Sequence, residues 1–187
     1  MSEKSNKSFT KQKAGGFSKA INIALWIFIG LIFIQKVPTL IDMFKKEGNP
    51  APQSQVTDLK TNQNLPLPMR TQDGLTVYPQ LIVFWATWCG PCKIELSRIN
   101  SLVKSGQITP DSVIAISSGE DPNLVRNMVT KEGYQFKVAL DPDASAAKVY
   151  NVKGTPTLIL VDKQGKINWM TMGLSATLEM RILSFFD

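Results

Sequence analysis

The chain has 187 residues and a net charge of +6, with 43% hydrophobic and 19% charged residues, so a packed core is expected and global disorder is not. It has no histidine and only two cysteines, which excludes His-based proton relays, a Ser-His-Asp site and His-ligated zinc or haem, and leaves too few ligands for an iron–sulfur cluster. The charge sits at one end: Lys4, Lys7, Lys11, Lys13 and Lys19 face only Glu3 across the first 19 residues, so there is no basic face for nucleic acid.

In chain order, residues 1–18 read as a basic tail. The run AINIALWIFIGLIFI, residues 20–34, has Asn22 as its one strongly polar member. Apolar character continues through Val37 and Leu40, and a single transmembrane helix is expected over residues 19–40. Three other readings fit less well. A cleaved signal peptide wants small residues after the apolar run, and IQKVPTLIDMF offers none. A surface-lying helix needs a polar face. A core helix would have to be apolar all round beside a five-lysine tail. The excess of lysines before the helix over Lys36, Lys45 and Lys46 after it places the tail in the cytoplasm and the bulk of the chain outside. Residues 41–63 read as a linker, because KKEGNPAPQSQVTDLKTNQ is polar, carries Gly48, Pro50 and Pro52, and shows no period.

A folded domain is expected over 64–187. LPLPMRTQDGLTVY predicts two short strands around an Asp73-Gly74 turn. LIVFWA, 81–86, predicts a central strand buried on both faces. Leu96, Ile99 and Leu102 predict a helix from Pro91 to near Gly106. A strand at 112–117, a helix from Asp121-Pro122, a strand at 137–140 and a short helix at 144–150 follow. The runs 157–162 and 167–172 read as a hairpin, and 176–186 as a terminal helix. The alternation implies a three-layer α/β domain.

The chemistry concentrates in FWATWCGPCK, Phe84 to Lys93. A buried strand runs into a turn, and Cys89 stands where a helix begins. The helix dipole there favours a thiolate over a thiol, so the pKa of Cys89 is expected below its free value. Cys92 lies one turn on, close enough for a disulfide and deeper. Cys89 then attacks a partner disulfide and Cys92 resolves the mixed disulfide. Pro91 fits the first helical turn, where its missing N–H costs nothing, and Gly90 completes the dipeptide between the sulfurs. Lys93 in place of histidine removes the haem-attachment pattern. Farther on, Gly154-Thr155-Pro156-Thr157 opens a strand. Pro156 reads either as an ordinary strand-start proline or as a cis-proline beside the sulfurs, which would leave the Thr155 backbone free to pair with an incoming peptide. Glu95 reads equally as an exposed first-turn acid or a buried one. Trp88, next to Cys89, offers an apolar ring for a protein substrate, and Trp85 reads as core.

FWATWCGPCKIE, AKVYNVKGTPT and LVDKQGKI together resemble the thioredoxin superfamily, and within it the membrane-tethered TlpA/ResA-like and CcmG-like group. The resemblance covers residues 64–187 and implies a thioredoxin-like α/β/α domain with a central mixed sheet behind an N-terminal anchor. It implies that Cys89 is the exposed nucleophile and Cys92 its buried partner. It also implies that Pro156 is a cis-proline and that Glu95 is a buried acid managing the proton of Cys92. The group often has proline two residues after that glutamate, where this chain has Ser97.

No cofactor or metal is expected. The Gly-Pro dipeptide is thioredoxin's and favours a reductant. A reductant outside the cytoplasm needs a transmembrane electron donor. Its expected partners are protein thiols and disulfides, apocytochrome c before haem attachment among them, and a monomer is expected. Two rivals stay open: a disulfide donor of the same fold, and a tethered scaffold with an inert disulfide.

Overall fold

A computed structural model describes residues 21–31, 46–69 and 79–186. The chain divides into two units, Met1–Asp42 and Met43–Asp187. In the first, residues 21–31 are helical (α1). Its large side chains face outward, with Trp26 71% and Phe28 62% exposed. Among the described residues no helix is long and apolar enough to cross a membrane. The rest of the expected span at 19–40, and the tail at 1–18, lie outside the described residues.

The second unit runs β1 (Ser54–Asp58), β2 (Asn64–Leu67), β3 (Gln80–Trp85), α2 (Gly90–Lys104), β4 (Val113–Ser118), α3 (Pro122–Glu132), β5 (Lys137–Asp141), α4 (Ser145–Val149), β6 (Thr157–Val161), β7 (Ile167–Met172) and α5 (Leu178–Phe186). One mixed sheet forms in the order β2-β1-β5-β4-β3-β6-β7. Strands β3, β4 and β5 are parallel, and β1, β6 and β7 each run antiparallel to the neighbour nearer the centre.

Strand β3 is buried at every position, and its side chains alternate between two cores. Leu81, Val83 and Trp85 pack with Leu96 and Ile99 of α2, Val125 of α3 and Ile182 of α5. Ile82 and Phe84 pack with Ile114, Ile116 and, from α4, Ala146. The parallel crossovers β3-α2-β4 and β4-α3-β5 step the same way along the sheet, so right-handed connection puts both helices on one face. Helices therefore cover both faces of the mixed sheet, the α/β/α arrangement that the resemblance implies.

The linker reading of 41–63 needs correction. Ser54–Asp58 is strand β1, paired with both β2 and β5. Ahead of it, Ala51 is 3% exposed, and the Gly48 N–H donates to the Ile167 carbonyl at 2.7 Å. The folded region thus starts well before residue 64. SQVTD has one large apolar residue, Val56, and its backbone pairing rather than its pattern makes it a strand. The Asp58 side chain closes the β1–β2 turn by accepting the Lys60 and Thr61 N–H groups, each at 2.8 Å. The Asp73-Gly74 turn and the strand expected after it lie outside the described residues.

Candidate functional site

Strand β3 ends at Trp85, and the chain turns through Ala86, Thr87 and Trp88 into α2. Cys89 is the N-cap of that helix, with extended backbone (φ −82°, ψ 103°), and its sulfur accepts the Cys92 N–H at 3.2 Å. Its own N–H donates back to the Ala86 carbonyl at 3.1 Å, which tightens the turn. Gly90 and Pro91 fill the first helical positions and are exposed. The two sulfurs are joined in a disulfide, S–S 2.00 Å, with the Cα atoms 5.2 Å apart. A thiolate formed at Cys89 on reduction would meet the free N–H groups and positive dipole end of α2.

The expected contrast in exposure between the sulfurs is smaller than the resemblance implies. Cys89 is 4% exposed and Cys92 0%. Bonding to Cys92 and packing within the core on the α2 face cover Cys89 almost completely. What projects is its neighbour, Trp88, which is 76% exposed. Trp85 is 1% exposed and meets Tyr134 edge-on, with ring centroids 6.2 Å apart. Burial, with the nearby Glu132 charge, pushes the Tyr134 phenol up to about 12.

Glu95 is fully buried, one turn beyond Cys92 on α2. Both its oxygens are engaged. Oε1 accepts the Ser175 N–H at 2.5 Å, and Oε2 accepts from Arg98 Nη1 at 3.0 Å. The same Nη1 donates to the Ser175 carbonyl at 2.7 Å. Arg98 also forks onto Glu179 of α5, with Nε to Oε1 at 2.5 Å and Nη2 to Oε2. Hydrogen bonding to Glu179 holds the Arg98 guanidinium above its ordinary range, against the opposing effect of burial and with added help from the Glu95 charge. The Arg98 hydrogen bond in turn lowers Glu179. The reading of Glu95 as an exposed first-turn acid is thus corrected: α2 starts at Gly90, which puts Glu95 in the second turn, where it is the inner end of a clamp between α2 and α5.

The Thr155–Pro156 peptide bond is cis. Pro156 is buried and Thr155 half-buried. Antiparallel pairing sets Thr157 opposite Phe84, so Pro156 sits at the end of the sheet where β3 gives way to the cysteine turn. The Pro156 carbonyl accepts the Gly173 N–H at 2.7 Å. Among the described residues no group of three or more His, Cys, Asp or Glu side chains is placed to hold a metal.

Two contributors at this end of the sheet escape a reading of the sequence. Arg98 left a weak signal, since i,i+3 spacing from Glu95 allows an ion pair on one helix face. Glu120, in the β4–α3 connection, left none. It accepts from the Thr87 hydroxyl at 2.6 Å and from the Thr87 N–H at 3.0 Å, a contact between residues 33 apart.

A family model described as Redoxin matches residues 46–177. The chain is 34% identical over 108 residues to a thioredoxin-like protein of Haemophilus influenzae, covering 58% of this chain and 62% of that one. It is 32% identical over 120 residues to the thiol-disulfide oxidoreductase ResA of Bacillus thuringiensis, covering 64% and 66%. The matched region thus spans a little under two thirds of each relative. Among solved structures, a Chlorobium tepidum protein assigned as thiol:disulfide interchange protein DsbE superposes with a TM-score of 0.61 at 26% identity, over 75% of this chain and 98% of that one. A cysteine pair at a helix N-terminus in a thioredoxin-like fold supports thiol–disulfide oxidoreductase activity.

Proposed function

This chain belongs to the Redoxin family, and on that premise we propose that it is a membrane-anchored, extracytoplasmic thiol–disulfide oxidoreductase that reduces protein disulfides. The observation that carries this reading is the placing of the pair: Cys89 caps α2 and Cys92 is sealed one turn in. In the reduced protein the Cys89 thiolate attacks one sulfur of a substrate disulfide, forming a mixed disulfide and releasing a substrate thiolate. Cys92, as thiolate, then attacks the Cys89 sulfur. The second substrate sulfur leaves, the Cys89–Cys92 disulfide forms, and two electrons have passed to the substrate.

Trp88, the exposed ring beside Cys89, supplies an apolar contact for a protein substrate. Gly90 and Pro91 line the approach, and the Thr155 backbone beside Pro156 offers it hydrogen bonds. Glu95, one turn beyond Cys92, is the acid nearest in sequence for managing that thiol's proton. The apolar run at 19–40 is the anchor, with residues 1–18 in the cytoplasm. A reductant outside the cytoplasm must be recharged, so a transmembrane electron donor is a required partner. The resemblance to the ResA-like group makes the cysteine pairs of apocytochrome c, before haem attachment, the leading substrate class.

Replacing the resolving sulfur tests this reading. Cys92→Ser in membranes is expected to accumulate Cys89-linked adducts with other proteins, visible on non-reducing gels and lost with dithiothreitol. Cys89→Ser is expected to form none. Equal adducts from both variants, or none from Cys92→Ser, would remove the assignment of Cys89 as the attacking sulfur.

A further inference from the structure

The turn that delivers Cys89 is held by a carboxylate far from it in sequence. Glu120 takes three donors at once. The Thr87 N–H lies 3.1 Å from Oε1 and 3.0 Å from Oε2, the Thr87 hydroxyl donates to Oε1 at 2.6 Å, and the Ser117 hydroxyl donates to Oε2 at 2.5 Å. Thr87 follows Ala86, whose carbonyl accepts the Cys89 N–H. Glu120 therefore grips the middle of the turn that ends at the attacking sulfur.

The grip has a firm base. Next to Glu120, the Gly119 N–H donates to the Asp141 carbonyl at 3.0 Å, and the Ser118 hydroxyl donates to Asp141 Oδ2 at 2.9 Å. The Asp141 carboxylate, in a residue 1% exposed, also accepts the Ala146 and Ala147 N–H groups at 3.0 and 2.9 Å. Asp141 thus ties the start of α4 to Ser118 and Gly119, and the adjoining Glu120 ties the same connection to Thr87. Among the described residues no cation forms an ion pair with Glu120, so its charge is met only by hydroxyls and one amide.

We propose that Glu120 is a positioning residue for thiol–disulfide exchange, fixing the 86–89 turn so that Cys89 stands over Cys92 and setting a negative charge against the Cys89 thiolate. This rests on the reading of Cys89 and Cys92 as the exchanging pair. Both effects act in one direction. A fixed turn raises the effective concentration of one sulfur at the other. The Glu120 carboxylate is bound to Thr87, two residues before Cys89, and a negative charge near a thiolate disfavours it. Each favours the disulfide over the dithiol and makes the pair a better reductant.

The test equilibrates the full chain with reduced and oxidised dithiothreitol and reads the dithiol fraction. The reaction passes two electrons and two protons from dithiothreitol to the Cys89–Cys92 disulfide. Glu120→Ala is expected to favour the dithiol about tenfold over wild type, or ~30 mV for a two-electron couple. Glu120→Gln, which keeps an acceptor for Thr87 without the charge, is expected to fall between. Val161→Ala opens a cavity in a fully buried site on β6 and is the control for lost stability; its equilibrium is expected to match wild type although its Tm falls. Wild-type values in both Glu120 variants would overturn the proposal. So would a Val161→Ala shift as large as that of Glu120→Ala. If Glu120→Ala does not fold, Glu120→Gln decides alone. A wild-type pair that does not exchange with dithiothreitol at all would instead remove the functional reading, and this inference with it.

Discussion

Two acids flank the cysteine pair, and the protein treats them in opposite ways. Glu95, behind Cys92, is fully buried and paired with Arg98, which also binds Glu179 on α5. Glu120, beside the turn to Cys89, is half-buried and meets hydroxyls and an amide. A charge removed from water costs several kcal/mol unless it is compensated, so the deeper carboxylate carries a cation. The shallower one is held by neutral donors, two of them in the turn that leads to Cys89. The α2–α5 side of the site is thus built for stability, and the β4–α3 side for placement.

Stability measurements sharpen that contrast. Arg98→Ala strands Glu95 without its cation and is expected to be the costliest change, about 2–3 kcal/mol, since Arg98 is itself partly exposed. Its urea midpoint should fall clearly below that of Glu120→Ala, where only hydrogen bonds of a half-buried group are lost, about 1–2 kcal/mol. Equal costs for the two variants would break the comparison.

Glu179 gives a smaller effect with a defined pH dependence. The Arg98 hydrogen bond lowers its folded pKa beneath the ordinary glutamate value. Its stabilisation is therefore fully present above that ordinary value and is lost as pH falls through the lowered folded one. The Glu179 side chain is 40% exposed, so solvent screening keeps the effect under about 1 kcal/mol. Wild type should lose this increment on acidification, whereas Glu179→Gln should lack it at neutral pH and show a flatter acid limb. Identical acid limbs would remove the Arg98–Glu179 pair from the account. The smallest effect on stability is expected from Trp88→Ala, within about 0.5 kcal/mol because the ring is already in solvent. The same variant should slow reduction of a folded protein disulfide more than reduction of a small one. Equal slowing of both would dismiss the ring as a substrate contact.

The core of this fold was legible because its signals are local. LIVFWA is a continuous β-forming run, and β3 covers all but its last residue. INWMTM is β7 to the residue. Asp121-Pro122 opens α3, with the Asp121 side chain capping it. Strand β1 was not legible, because SQVTD lacks an apolar pattern and is held by backbone pairing, to β2 close by and to β5 far along the chain. The same physics divides the site. Cys89, Cys92 and Pro91 announce themselves through spacing at a helix start. The surroundings of Glu95 depended on Ser175, 80 residues away. Glu120 sits in SSGED, where nothing local separates a clamp from a solvated loop acid. Exposure misled at Cys89, because a helix N-cap can be sealed by its own disulfide and neighbours.

The central claim is that this pair is built to give electrons, and its reduction potential tests that most directly. The full chain, equilibrated in dithiothreitol or glutathione buffers, is predicted to show a value near or below about −250 mV, in thioredoxin's range. A value near −120 mV, that of a strong oxidant, would contradict the account and make the protein a disulfide donor.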